Sequence, residues 1–239
     1  MLYCIRALQA APRDYPLEHL SINEGVSQNT VFCIFQGRRG FMWFGTEDGL
    51  YRFDGYRFTG FTHDWRDPQS ISHNMISTIF EDRQGRLWIG TNGGGLNRFD
   101  HETERFIHFR HTPADSADLG SDAVSCIYQD RSGNLWIGTG GSGLRRFDPA
   151  SGRFRAFHDR SGQPPPLANR HVRVMLEDRQ GDFWIGTNRE GLYRLAQASG
   201  RWIHYTHHQA DPAGLANNTI TSLLETPGGE LWIGTDRGL

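Results

Sequence analysis

The chain has 239 residues, 12% of them aromatic and 22% charged, with 25 basic against 27 acidic side chains and a formal net charge of −2. That balance removes any overall electrostatic case for nucleic acid or an anionic membrane surface as partner. No apolar run reaches the ~18 residues a spanning helix needs, and 29 glycines, well above the average share of about 7%, point to many tight turns.

In chain order, residues 1–16 contain the small residues of a cleavage region, Ala10-Ala11-Pro12, but Arg6 interrupts any apolar core. A truncated export signal fits this segment and a complete one does not. Residues 17–22 (Leu17-Glu18-His19-Leu20-Ser21-Ile22) read as an outermost strand without a blade of its own, the kind that pairs with a last blade to close a ring. From there one pattern is written repeatedly, over 29–62, 74–111, 122–158 and 170–207, then over 218–239, where the third strand of the unit is not reached.

The first copy predicts strands near 31–36, 41–46, 50–54 and 57–62, and later copies repeat them. In the third, Val124-Ser125-Cys126-Ile127-Tyr128 is the first strand, Asp130-Arg131-Ser132-Gly133 a turn and Leu135-Trp136-Ile137-Gly138-Thr139 the second strand. The turn recurs as Asp82-Arg83-Gln84-Gly85 and Asp178-Arg179-Gln180-Gly181, its aspartate able to hold turn amides and its glycine able to take positive φ. A third strand follows, as in Gly95-Leu96-Asn97-Arg98-Phe99. The fourth carries aromatic pairs three residues apart, among them Phe58 and Phe61, and Phe106 and Phe109. A period of two turns such a pair to opposite faces, so both faces of each sheet are expected to be covered.

The second strands share Trp-aromatic or aliphatic-Gly-Thr, with tryptophans at Trp43, Trp88, Trp136, Trp184 and Trp232, spaced by 45, 48, 48 and 48 residues. A period in this range means a solenoid or a propeller, and the absence of long 3.6-period stretches excludes helical solenoids. Four antiparallel strands per unit, buried on both faces, define an all-β protein, a β-propeller. Four complete blades and part of a fifth make it an incomplete fragment of a longer ring, with open faces that favour self-association. Cys33 and Cys126 hold the same strand position two units apart, too distant to bridge, and read as free thiols.

The unit Ile76-Ser77-Thr78-Ile79-Phe80-Glu81-Asp82-Arg83-Gln84-Gly85-Arg86-Leu87-Trp88-Ile89-Gly90-Thr91, closed by Gly94-Gly95-Leu96-Asn97-Arg98-Phe99-Asp100, closely resembles the two-component regulator propeller repeat. The resemblance covers roughly residues 17–239. It implies a seven-bladed extracytoplasmic sensor region, about four and a half of whose blades lie in this chain. The histidine kinase or diguanylate cyclase output implied by the family would lie in another domain. Two copies depart from the pattern: Gly37 replaces the turn aspartate in the first, and Thr226-Pro227-Gly228-Gly229 replaces the turn in the fifth.

Residues that recur in every copy do a structural job, so function is expected where the copies differ. The loops between second and third strands contribute Glu47, Asp48, Asn92, Gly140 to Ser142, Asn188, Arg189, Glu190, Asp236 and Arg237, variable and mostly polar positions able to line the mouth of one recess, with solvated turns as the alternative. The crossovers contribute Asn29, Asn74, Asp122, Arg170 and Asn218, whose Asx members are explained by local backbone bonding; Arg170 with His171 breaks that series and is the expected ligand contact. His63, His111 and His207 share one repeat position in separate blades, which speaks against a metal site. Neither a cofactor nor catalysis is expected. The sequence points to a sensor module for a small molecule, an oligosaccharide-like ligand or a protein, with an interaction scaffold or a streptogramin-lyase-like enzyme as alternatives.

Overall fold

The computed structural model describes residues 30–115, 117–157, 166–167, 169–209 and 214–239. The expected N-terminal segment, the orphan strand at 17–22 and Asn29 lie outside the described residues. Among those described there is no helix, and every element is a strand.

Blade one comprises β1 (Val31–Gln36), β2 (Met42–Thr46), β3 (Leu50–Phe53) and β4 (Phe58–Phe61). Blade two comprises β5 (Ile76–Glu81), β6 (Leu87–Thr91), β7 (Leu96–Asp100) and β8 (Arg105–Phe109). Blade three comprises β9 (Val124–Gln129), β10 (Leu135–Thr139), β11 (Leu144–Asp148) and β12 (Arg153–Ala156). Blade four comprises β13 (Val172–Glu177), β14 (Phe183–Thr187), β15 (Leu192–Ala196) and β16 (Arg201–Tyr205), and a fifth sheet holds β17 (Ile220–Glu225) and β18 (Leu231–Thr235). All pairings are antiparallel between sequence neighbours, giving four four-stranded sheets and one two-stranded sheet. The expected strands are present, each within a residue or two of its predicted bounds.

No strand ladder crosses between sheets, so the blades are joined by side chains and by single backbone bonds from a loop to the next unit's crossover, such as the Gly95 N–H to the Asp122 carbonyl at 2.8 Å. Trp43 packs edge-on against Phe99 of the next blade at 5.2 Å, and Trp88 does the same with Phe147 at 5.0 Å. The paired aromatics of the fourth strand do face opposite ways: Phe106 meets Phe61 of blade one, whereas Phe109 meets Phe147 and Phe154 of blade three. Burying an indole costs free energy unless its N–H is bonded. The turn aspartate six residues earlier accepts it, from Trp88 to Asp82 Oδ2 at 2.8 Å, from Trp136 to Asp130 Oδ2 at 2.8 Å and from Trp184 to Asp178 Oδ2 at 2.7 Å. The same carboxylates hold their turns through Oδ1, which accepts from the backbone N–H of Arg86, Asn134 and Asp182. In the fifth unit the Thr226 hydroxyl takes that turn role, accepting from the Glu230 N–H at 3.2 Å.

A second set of bonds runs around the same end of the blades. The Arg38 guanidinium donates to the Arg83 carbonyl at 3.0 Å, Arg83 to Arg131 at 2.8 Å, and Arg131 to Arg179 at 3.1 Å. Each of these arginines also donates its backbone N–H to the last residue of the next first strand: Glu81, Gln129 and Glu177. Closer to the axis, the glycine of the second strand lets the next blade's first strand approach. A Cβ on Gly90 would sit 2.6 Å from Thr78 Cγ2 and 2.6 Å from Val124 Cγ1.

The terminal blades show what a missing neighbour does. Ile76 and Ile79, which lie against blade one, are buried, but the corresponding Val31 and Ile34 are 40% and 59% exposed. Trp232 is 49% exposed and Leu224 63%, whereas Trp88 is fully buried. The described sheets form an unclosed propeller with an apolar face at each end.

Trp136→Ala is expected to destabilise by about 3–5 kcal/mol, since it empties a junction and removes one of the donors to Asp130 Oδ2, which keeps the Asn134 amide. Asn188→Ala, in a loop, is expected to cost under about 0.5 kcal/mol; equal denaturant midpoints for the two variants would contradict the assignment of faces. Gly90→Ala is expected to lose about 1–3 kcal/mol through overpacking, and an unchanged midpoint would show that the junction is loose.

Candidate functional site at the propeller axis

The first strand of every unit lies innermost, and in all five its pairing slips at the second residue. Val31 and Cys33 pair in register around Phe32, Ile76 and Thr78 around Ser77, Val172 and Val174 around Arg173, and Ile220 and Ser222 around Thr221; the slip opposite Gly138 and Thr139 falls at Ser125. A bulge leaves one residue out of the ladder and re-aims its side chain. Here the unpaired residues, Phe32, Ser77, Ser125, Arg173 and Thr221, all line one recess of about 490 Å³. Flanking residues explain why the bulge persists: Ile76, Val124, Val172 and Ile220 are buried and lock the strand on one side of it.

The recess is polar and basic. The Ser77 hydroxyl donates to the Val124 carbonyl of the next blade at 2.5 Å. Ser125 Oγ lies against the Val172 carbonyl, again of the next blade, and 3.1 Å from the Gly138 carbonyl. His171 and Asn92 add to the polar lining, Met75, Ala123 and Val124 to the apolar one, and among the described residues no aspartate or glutamate is part of it. Burial pulls His171 below the ordinary imidazole value of 6.5, and the adjacent Arg173 charge acts in the same direction. At neutral pH the ring is therefore uncharged, with a nitrogen available to accept and another to donate.

Of the loop and crossover residues singled out in the sequence, Asn92, Gly140 and His171 reach this recess. The others separate into different places. Arg189, Asp236 and Arg237 line a second hollow of about 460 Å³ beside His207, Asn217 and Asn218. Glu47 is exposed, and Asp48 is half-buried with its N–H donated to Thr46 Oγ1 at 3.1 Å; neither lines the axial recess. Asn188 is half-buried and donates its N–H to the His171 carbonyl at 2.9 Å, so it shapes the loop from behind.

Arg170 does not join His171 in the recess as expected. Its guanidinium pairs with Glu190 at 2.5 Å, and its carbonyl accepts from the Gly143 N–H at 3.1 Å, which turns it toward the loop of its own blade. The other crossover residues are structural, as their Asx character suggests. Asn74, Asp122 and Asn218 accept backbone N–H bonds at 2.6–2.7 Å from His63, His111 and His207. Those histidines are each occupied at Nδ1, by the Ile71 carbonyl, Asp118 Oδ2 and the Leu215 carbonyl. Cys33 and Cys126 are free thiols pushed up to about 12 by burial, which makes them poor nucleophiles.

The bulged residues were missed by a search confined to loops. Their signal was present all the same, as one position that reads Phe, Ser, Ser, Arg and Thr directly after an invariably branched aliphatic residue.

Repeated four-stranded antiparallel blades around an axial recess define a β-propeller. The chain belongs to the two component regulator propeller family, which matches at residues 25–48, 70–93, 118–141, 166–189 and 214–237. No curated protein sequence matches it. Among solved structures, it is similar to the extracellular domain of the hybrid two component system BT3049 from B. thetaiotaomicron, at 30% identity and a TM-score of 0.80, over 92% of this chain and 29% of that one. The extracellular domain of hybrid system BT4673 from the same organism matches at 25% identity and a TM-score of 0.70, over 87% of this chain and 26% of that one. The chain therefore spans under a third of the length of these relatives. A virginiamycin B lyase from Staphylococcus aureus shares the fold at 12% identity and a TM-score of 0.61, over 87% of this chain and 64% of that one.

A titration of His171 followed by NMR should give a midpoint below 6.5, and Arg173→Gln should raise it part of the way back, since burial is the larger cause. Because the folded ring resists protonation, its contribution to stability is expected to fall as pH drops through the unfolded value near 6.5. A midpoint at or above 6.5 in the parent chain would mean that the ring is solvated.

Proposed function

We propose that this chain is part of an extracytoplasmic sensor propeller of a bacterial signal-transduction receptor, with the axial recess as its ligand site and the output in another domain. The observation that carries this reading is the bulge. Every unit delivers one unpaired side chain to the same hollow, Phe32, Ser77, Ser125, Arg173 or Thr221, and that side chain varies while the residue before it is always Val or Ile. A position freed from the ladder and from the core is where ligand specificity can vary without cost to the fold. The likeness to extracellular domains of two-component systems supports both the location and the role.

Binding without catalysis fits the lining. His171 is the single lining residue able to exchange a proton near neutral pH, and acid–base chemistry requires a positioned partner. Glu47 and Asp48, the acidic groups a lyase-like reading would need, stand outside the recess. The likeness to the lyase is one of fold.

The test is a thermal-shift screen of the chain against monosaccharides, oligosaccharides, amino acids and organic acids. A ligand at 100 times its Kd should stabilise by about 2.7 kcal/mol, and Thr221→Trp, which fills the recess from an exposed position, should abolish the shift. Stabilisation that survives Thr221→Trp, or a screen without any stabilising compound, would overturn ligand sensing at the axis.

A further inference from the structure

We infer that the axial recess recognises a small carboxylate that carries several hydroxyl groups, anchored by Arg173; this rests on the sensing role proposed above. Three features of the lining converge on that chemistry. The first is charge. Arg173 is exposed on its bulge, no carboxylate is paired with it among the described residues, and none lines the recess. Arg170, three positions earlier, is neutralised by Glu190. A guanidinium in a hollow without acidic groups presents a planar fork of donors that matches a carboxylate in a bidentate pair.

The second feature is the direction of the hydroxyl bonds. Ser77 commits its proton to the Val124 carbonyl, and Ser125 has the carbonyls of Val172 and Gly138 as its acceptors. With their protons taken, both oxygens offer the recess lone pairs alone. They are satisfied by a ligand that donates, and ligand hydroxyls do so. Thr221, Asn92 and the neutral His171 can each donate or accept, which suits the same groups in other orientations.

The third is shape. A volume of about 490 Å³ falls within the range of small-molecule sites, about 300–1,000 Å³. Phe32, half exposed on its own bulge, supplies an apolar wall for the C–H face of a compact polyol chain or ring. A long apolar ligand would gain contacts with Phe32, Met75, Ala123 and Val124 but would leave the serine lone pairs and the Arg173 charge desolvated and unpaired, a penalty that is largest for the charge.

The test is isothermal titration of the full chain with gluconate, galacturonate and tartrate, with glucose and acetate as comparators at matched ionic strength. At least one hydroxylated carboxylate should bind with a stoichiometry near one, at least tenfold more tightly than glucose or acetate. Arg173→Gln should weaken it about tenfold or more, whereas Arg189→Gln, in the second hollow, should leave it unchanged, with circular dichroism of each variant matching the parent. Three outcomes would overturn the inference: binding undiminished by Arg173→Gln, glucose binding as tightly as the carboxylates, or heats absent for all three acids. If neutral compounds instead stabilise the chain, with the effect lost in Thr221→Trp and retained in Arg173→Gln, the anionic class is wrong and the sensing role stands.

Discussion

The junctions at Trp88, Trp136 and Trp184 depend on burying an indole without abandoning its N–H; at the Trp43 junction Gly37 stands in the aspartate's place. The six-residue separation of turn aspartate and tryptophan solves this, because the hairpin folds the carboxylate back over the ring that follows it. One side chain then organises three things: the turn amides, the indole and the sheet-to-sheet packing. The neighbouring bonds take their positions from that arrangement. The arginine after the aspartate projects toward the next turn, and the glycine two residues after the tryptophan sits where the next first strand presses closest. Since no ladder joins one sheet to the next, these side chains and the aromatic contacts, with the single backbone bonds from loop to crossover, hold the blades together.

That mode of assembly makes the molecule nearly one-dimensional, with each unit stabilised by itself and its two neighbours. The end blades follow directly. Val31 and Ile34 repeat the chemistry of buried Ile76 and Ile79 yet lie open, and Trp232 repeats Trp88 yet is half exposed. The same residue types differ in burial because no described blade lies beside them. Identity of sequence fixes what a face can do, and the neighbour decides whether it does it.

Function occupies what this scheme leaves over. Turns, tryptophans, glycines and threonines are committed, and the histidines after the outer strands are committed to crossovers. The bulged residue escapes the ladder in every unit, although Ser77 and Ser125 also bond a carbonyl of the next blade. It is thus the natural place for differences between copies to accumulate, and the presence of Arg173 there, beside a neutral His171, gives the axis its basic character.

Strand order, blade boundaries and the two-sided burial were legible because they are periodic: the 48-residue step and the three-apart aromatic pairs of residues such as Phe106 and Phe109 are local patterns that a sheet can satisfy in one way. The structural part played by Asn74, Asp122 and Asn218 was legible for a similar reason, since short polar side chains bond nearby backbone. The site was legible only in part. Asn92 and His171 were named, but Arg170 was placed beside them and is in fact held by Glu190, and the five bulged residues passed unnoticed. A bulge is a shift in pairing between two strands, so the side to which Ser125 or Arg173 points depends on a partner strand as well as on its own neighbours. Convergence on the axis depends further on how successive blades rotate. Sequence alone determined the repeated sheet and its junction chemistry; tertiary structure decided which variable residue faces the centre, because direction there is set by the packing of separate blades.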